Sequence, residues 1–523
     1  MEGFKLKSVK IIVLSFFAIV LTACSQNVPA SDVHTVNQAA PLVIRLAGGD
    51  YGLPSPFTHS TRGPGLYNMY LLFDGLLEKD EKGLIPWLAT DWKIEKGGKS
   101  YLFMIRDNVH WHDGTLLTAE DVKFSYDYYL KHPPVRNMLV EGKETFVEKV
   151  EVVGKNQMRI TVKQPNASYL EKIGYSMKII PKHIWEGVEN PVSLTDPKAL
   201  VGSGPYTLDD YNGGQGTYRF KAFDAYWGPK PRVNVIEQVP VSEPVLAFEK
   251  GELDIAEITP DVLSRFQNNP EYRVIQNPPF HGVRLNFNME KRPELKDKAV
   301  RQAFVYAIDQ ADLVEKVLRG AGIPGSAGYL PQEHPYYNNK IKSYPFDPAK
   351  AKQLLNGKEL TFKLNIPNTE QTVRTAELIK ISLKKAGIVL NVQTYDTKTN
   401  DEMARSGNYE LTLSVTGGWG GDPDLLRMTF ATNPNSQGSS ETIGYKNDAI
   451  NQLAAKQMVE PDENKRHEII NQLQEQIAEE VPALTLFNQK SYFVFRPNKF
   501  DGWIYMYDHH YAQHSKLTYL TRK

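Results

Sequence analysis

The chain has almost no cysteine: Cys24 is the only one in 523 residues. A single thiol excludes an internal disulfide framework, so stability has to come from buried apolar surface. Charge of one sign is also missing, because 61 basic residues face 61 acidic ones. That balance excludes the basic footprint of a nucleic-acid binder. Long apolar runs are absent as well. Ile11–Leu21 is too short to cross a hydrocarbon layer of roughly 30 Å as a helix, and no second run follows it. There are no internal repeats and no low-complexity tract beyond the polar, small-residue stretch 25–40, which reads as a flexible tether. What remains is long and aromatic, with 27 Tyr, 22 Phe and 7 Trp. A chain that exceeds about 250–300 residues outgrows a single core, so two or more lobes are expected.

The amino terminus carries Lys5, Lys7 and Lys10, then the apolar run, then Leu21-Thr22-Ala23-Cys24. A basic start, a short apolar stretch and small residues before the cut describe a secretory signal peptide over 1–23. Cysteine directly after Leu-Thr-Ala resembles the lipobox of bacterial lipoproteins. That resemblance implies cleavage before Cys24 and a diacylglyceryl group on its sulfur, which would hold the protein outside the cytoplasm on a bacterial membrane.

Beyond the tether, apolar periodicity alternates between strand and helix. Leu42, Ile44 and Leu46 alternate in a strand that ends at Gly48-Gly49. A helix is expected over 67–77, and a strand over 101–106. Thr118-Ala119-Glu120-Asp121 opens another helix, with Asp121 near its positive end. Residues 233–241 read as a buried strand, 300–318 as helix with a second start at Asp309, and 372–386 as a helix closed by Gly387. Ile469, Ile470, Leu473, Ile477 and Val481 form a helical stripe ahead of a strand at 483–487. Such alternation argues an α/β fold.

Several segments then fall into a known order. They are Leu88-Ala89-Thr90-Asp91-Trp92, His112-Asp113-Gly114-Thr115 with Thr118-Ala119-Glu120-Asp121-Val122, and Gly202-Ser203-Gly204-Pro205-Tyr206 with Tyr226-Trp227-Gly228. Leu285-Asn286-Phe287-Asn288 and the run from Val300 to Asp309 complete the set. In this order the chain resembles the family 5 extracellular solute-binding proteins, the peptide and nickel receptors of ABC importers. The resemblance implies a two-lobed periplasmic-binding-protein-like α/β fold, class II, with an extra subdomain inserted in lobe I. Carried onto this sequence, lobe I would be 41–70, 200–279 and 488–523, the inserted subdomain 71–199, and lobe II 280–487. It also implies no catalysis, no cofactor, a monomer whose empty form is open, and delivery of an extracellular peptide to a membrane permease and its ATPases.

The resemblance places the site at Gly417-Gly418-Trp419-Gly420-Gly421-Asp422-Pro423-Asp424. Peptide-binding relatives hold the ligand's ammonium with an Asp three residues after a Trp, which here is Asp422 after Trp419. A carboxylate on an ammonium makes a short charge-assisted contact. Glycines such as Gly418 and Gly421 let the main chain approach the ligand. Tyr51, in the loop that ends the first strand, is a candidate contact from lobe I, because open α/β sheets bind ligands at their strand ends. Arg284 is a candidate fork for a carboxylate, beside Asn286 on the same strand. Dipeptide receptors carry an arginine in the loop corresponding to 365–370, and this chain has none there, which argues against strict dipeptide binding and leaves a longer or different ligand equally open.

A metal or metal-chelate receptor of the same fold is the alternative, because His110 and His112 alternate, and His509, His510 and His514 cluster. A secreted hydrolase is less favoured: His467-Glu468-Ile469-Ile470 leads to Asn471 where a zinc protease needs histidine, and no Gly-x-Ser-x-Gly elbow exists.

Overall fold

The computed structural model describes residues 40–60, 64–141, 144–417, 421–432, 442–504 and 512–521. Two hydrophobic cores organise the chain from Pro41 onward. The first is built on a four-stranded sheet in the order Val43–Gly48, Val235–Pro240, Thr217–Ala222, Tyr206–Asn212. Only its first pair is parallel. Ile44 and Leu46 point inward, while Arg45 between them bonds Glu237 at 3.0 Å, the alternation that period two requires. The helix Pro64–Leu72 lies against this core and stops earlier than its apolar pattern predicts. The Leu72 carbonyl is taken by the Gly204 amide at 2.8 Å, and Gly75 instead pairs with Lys178.

A second, antiparallel sheet feeds the same core, in the order Ala89–Glu95, Ser100–Ile105, Gln157–Val162, Val147–Gly154. The helix Ala119–Lys131 packs on it, and Asp121 Oδ2 accepts the Thr118 amide at 2.8 Å at its start. The far C-terminus returns here. Lys516 is buried between Asp74 at 2.6 Å and Glu78 at 2.8 Å, all three closed to solvent.

The other core runs from Val283 to Phe487. Its six-stranded sheet has the order Gly322–Pro324, Ala483–Gln489, His281–Phe287, Leu411–Thr416, Leu360–Pro367, Ile388–Tyr395. Val283, Leu285 and Phe287 face the helices, where Phe304 packs against Phe287 and Phe362 at 5.2 and 5.6 Å. The helical stretch after Asp297 breaks as its sequence indicates. One helix covers Lys298–Ala307 and the next Gln310–Leu318, because the Asp309 carboxylate caps the Asp312 amide at 3.0 Å.

The chain passes between the two cores twice, and the passages run side by side. Arg273–Gln276 leads through Pro278-Pro279 into His281–Phe287, and Ala483–Gln489 returns to Tyr492–Phe495. The Asn277 amide donates to the Ser491 carbonyl at 2.8 Å between them, with Gln276 opposite Tyr492 and His281 opposite Gln489. Two cores joined by a narrow paired ribbon make the two-lobed α/β arrangement. Elsewhere the lobes touch: the Ala167 amide donates to the Met458 carbonyl at 2.7 Å, so the described conformation is not open at that edge. Among the described residues no helix is long and apolar enough to cross a membrane.

Candidate functional site

The strand Leu411–Thr416 ends in the glycine-rich loop. Gly421 and Asp422 are described there, whereas Gly418 and Trp419, like Cys24, lie outside the described residues. Asp422 is held firmly. Arg466 grips it with two prongs, Nη1 to Oδ2 at 2.9 Å and Nη2 to Oδ1 at 2.6 Å, and the Asp424 amide donates to Oδ1 at 2.8 Å. A carboxylate offers about four acceptor positions. Among the described residues three are filled, and one on Oδ2 has no partner on a side chain that is 23% exposed.

Asp424 closes the turn from below. It is buried, and it receives the Arg427 guanidinium at 2.7 and 2.6 Å and the Gln457 amide at 2.6 Å. Gln457 also accepts from Arg466, so one amide ties both carboxylate–guanidinium pairs together. His334 fixes the other end of the loop. Its Nδ1 accepts the Tyr336 amide at 3.0 Å, which makes Nε2–H the donor to the Gly421 carbonyl at 3.0 Å. Burial pulls this imidazole down to about 4, against the raising influence of the Gly421 bond. At neutral pH it is an uncharged strut.

Arg284 and Asn286 share the polar face of the strand His281–Phe287. Register sets Arg284 opposite Ser414 and Thr485, and Asn286 opposite Thr412 and Ala483. Arg284 is buried rather than facing solvent, with its guanidinium carbon 4.1 Å from the centre of the Tyr329 ring. Asn286 Nδ2 donates to Ser414 Oγ at 2.9 Å. On this same layer Asn286 Oδ1, Thr485 Oγ1 and both amide atoms of Asn488 have no hydrogen-bond partner among the described residues. Buried polar groups are rarely left so, and the face is therefore suited to a polar ligand group or ordered water.

Tyr51 belongs to the first core, not to this face. Its amide donates to Tyr218 Oη at 2.8 Å, the Tyr218 hydroxyl donates to the Gly52 carbonyl at 2.8 Å, and Tyr211 donates to Asp50 at 2.7 Å. Gly52 sits at φ 76°, so the turn needs a residue without a side chain there. The loop is thus rigidly braced at the strand end, on the opposite lobe from Asp422, Arg284 and Asn286.

Among the described histidines singled out in the sequence, His110 is exposed, whereas His112, His467 and His514 make contacts within the fold. His112 bridges the Gly202 amide at 3.2 Å and the Gly204 carbonyl at 3.0 Å, and His514 stacks on Tyr67 at 4.5 Å. His467 contacts the Pro335 carbonyl at 3.2 Å and lies against Tyr336. His509 and His510 lie outside the described residues. Among the described residues no group of three or more His, Cys, Asp or Glu is placed to hold a metal.

Sequence reasoning did not reach Arg466, Gln457, His334 or Tyr329. Arg466 is separated from Asp422 by 44 positions and His334 from Gly421 by 87, and no local motif announces either partner.

Two lobes, a paired crossover ribbon and a glycine-rich loop at a sheet end define a two-lobed solute-binding fold. Residues 83–438 match the family of bacterial extracellular solute-binding proteins, family 5 Middle, and the chain belongs to that family. It is 27% identical over 500 residues to the dipeptide-binding protein of Escherichia coli K12, covering 88% of this chain and 91% of that one. It is 28% identical over 473 residues to heme-binding protein A of Haemophilus influenzae, covering 83% of each. Its fold is shared with NikA from Brucella suis, solved in complex with Fe(III)-EDTA. That match has a TM-score of 0.77 and 24% identity, covering 92% of this chain and 100% of that one.

Proposed function

We propose that this protein is the receptor of an ABC importer, and that it captures an extracellular peptide between its lobes and delivers it to a membrane permease. Its lobes would follow the expected boundaries, with lobe I at 41–70, 200–279 and 488–523, the inserted subdomain at 71–199, and lobe II at 280–487. The observation that carries the reading is Asp422, fixed by Arg466 in a glycine-rich loop with one acceptor position unfilled among the described residues. A peptide ammonium fits that position, and an oriented carboxylate loses little freedom on binding it. Gly418, Trp419 and Gly421 would shape the first ligand pocket. Arg284 and Asn286 would serve the carboxylate or amide groups of the peptide from the sheet, and Tyr51 would face it from lobe I. The relative that binds dipeptides supports this ligand class, and the absence of an arginine in 365–370 argues against strict dipeptide binding. The protein works as a monomer, binds rather than transforms its ligand, and is anchored through lipid on Cys24.

Native mass spectrometry of the form beginning at Ser25, purified from cells, tests the ligand class. Adduct masses spread as peptides and released by acid are the expected result. A single metal-containing adduct would overturn the peptide reading in favour of a chelate. For the anchor, Cys24→Ser should abolish labelling with radioactive palmitate, and persistent labelling would refute it.

A further inference from the structure

The loop that carries Asp422 does not end at the site. Its ion-pair network extends through lobe II to the inserted subdomain of lobe I. Asp422 is bonded to Arg466, Arg466 to Gln457, Gln457 to Asp424 at 2.6 Å, and Asp424 to Arg427 through two bonds. Arg427 then reaches outward. Its Nη2 lies 3.6 Å from Glu141 Oε1, on the short hairpin strand Val140–Glu141. Glu141 is itself held by Asn166 Nδ2 at 3.1 Å and by Lys172 Nζ at 3.4 Å. Beside Asn166, the Ala167 amide donates to the carbonyl of Met458, the residue after Gln457 and in the last turn of the helix Asp448–Val459. Helix C-terminal carbonyls lack intrahelical donors, so this contact satisfies a group that would otherwise need water.

Two features set this contact apart from an incidental surface pair. Arg427 is only 19% exposed and is aimed by the bidentate bond to buried Asp424, so its orientation is fixed before Glu141 arrives. Gln457 and Met458 are also adjacent, so the residue that bridges both carboxylate–guanidinium pairs is continuous with the one that accepts from Ala167. Both contacts are thus tied to the Gly421–Asp424 turn through Asp424 and Gln457.

We propose that Glu141 and Arg427, together with the Ala167–Met458 hydrogen bond, form a clasp that holds the lobes shut. Glu141 and Arg427 are then positioning residues that set how long a ligand stays, without touching it. This rests on the ligand site proposed above only for the identity of the ligand. The clasp itself can be read with no ligand present.

The mature chain has no cysteine after Cys24, so Lys155→Cys and Lys384→Cys, one on each side of the cleft and both exposed, take spin labels cleanly. Electron–electron distance distributions are recorded for this background and with Glu141→Gln added, without ligand and with a tryptic casein digest as the peptide probe. The background is expected to show a short, narrow population in at least one of the two conditions. Glu141→Gln should lower its ratio to the longer population about threefold to fivefold, the effect of losing one partly exposed ion pair. Added salt should open the background but not the Glu141→Gln protein. Because Glu141 is not part of either core, the urea midpoint should be unchanged, which separates positioning from a purely structural role.

Identical distributions with and without Glu141→Gln would overturn the proposal. So would a background that is long in both conditions, because the clasp would then not form in solution. A short population that needs Glu141 but ignores the digest would leave the clasp standing and remove the peptide assignment.

Discussion

Removing the Asp422 carboxylate should weaken the fold as much as the site. Arg466, at 8% exposure, would keep its charge and lose both prongs, keeping the Gln457 carbonyl as an acceptor. Breaking one partner of a buried ion pair typically costs about 3–5 kcal/mol. Asp422 is 23% exposed, so water can reach the vacated position. A loss at the lower end, about 3 kcal/mol, is therefore expected for Asp422→Ala. Adding Arg466→Met removes the stranded charge and should restore about 2 kcal/mol of that loss, a coupling visible in a double-mutant cycle by urea unfolding. An Asp422→Ala protein with the wild-type urea midpoint would refute the reasoning, because the bidentate pair would then contribute nothing. The same geometry makes Asp422→Ala a poor test of ligand recognition, because lost affinity and lost stability would be confused. The ligand is better altered than the protein. Peptides recovered from the protein should bind at least tenfold more weakly after N-acetylation, the loss of about 1.4 kcal/mol that follows from deleting a charge-assisted contact. Equal binding before and after acetylation would show that Asp422 does not receive the ligand's ammonium.

His334 makes stability depend on pH. Its folded value of about 4 lies below the ordinary 6.5, so between these values the unfolded chain binds a proton that the folded one does not. Stability should then fall as pH drops from about 6.5 to 4, by about 3 kcal/mol for this group, and level off on either side. In His334→Gln that part of the slope should vanish from urea curves taken at pH 4.5 and 7, and an unchanged slope would sink the assignment. Lys516→Met should destabilise by about 3–5 kcal/mol, because Asp74 and Glu78 would stay buried without their shared cation; a change below 1 kcal/mol would contradict it. Arg284→Met should weaken binding of recovered peptides about tenfold while leaving their C-terminal amides unaffected, the pattern for a lost carboxylate fork. Equal losses for both forms, measured by calorimetry, would assign Arg284 to packing on Tyr329 alone.

Much of this architecture was legible in local sequence. The alternation of Leu42, Ile44 and Leu46 gave the edge of the first sheet, and Asp309 marked where one helix stops and another begins, because caps and period-two burial are decided by near neighbours. The resemblance carried by the ordered segments from Leu88 to Asp309 pointed to the family to which the chain belongs. Other outcomes depended on partners far away in the chain. The helix after Pro64 stops at Leu72 because a glycine amide more than a hundred residues later takes its carbonyl. Arg284 reads as a candidate carboxylate fork, and its burial emerges only when the strand register and Tyr329 close over it. Asp422 reads as a free carboxylate until Arg466 arrives from another helix, and the Glu141–Arg427 contact joins segments that share no pattern. Sequence by itself determined the elements and the class of this protein, because propensity, capping and apolar period act over a few residues. Only the tertiary structure decided which charges are paired, since ion pairing depends on distance in space and on exclusion of water, and neither is written in the spacing of residues along a chain.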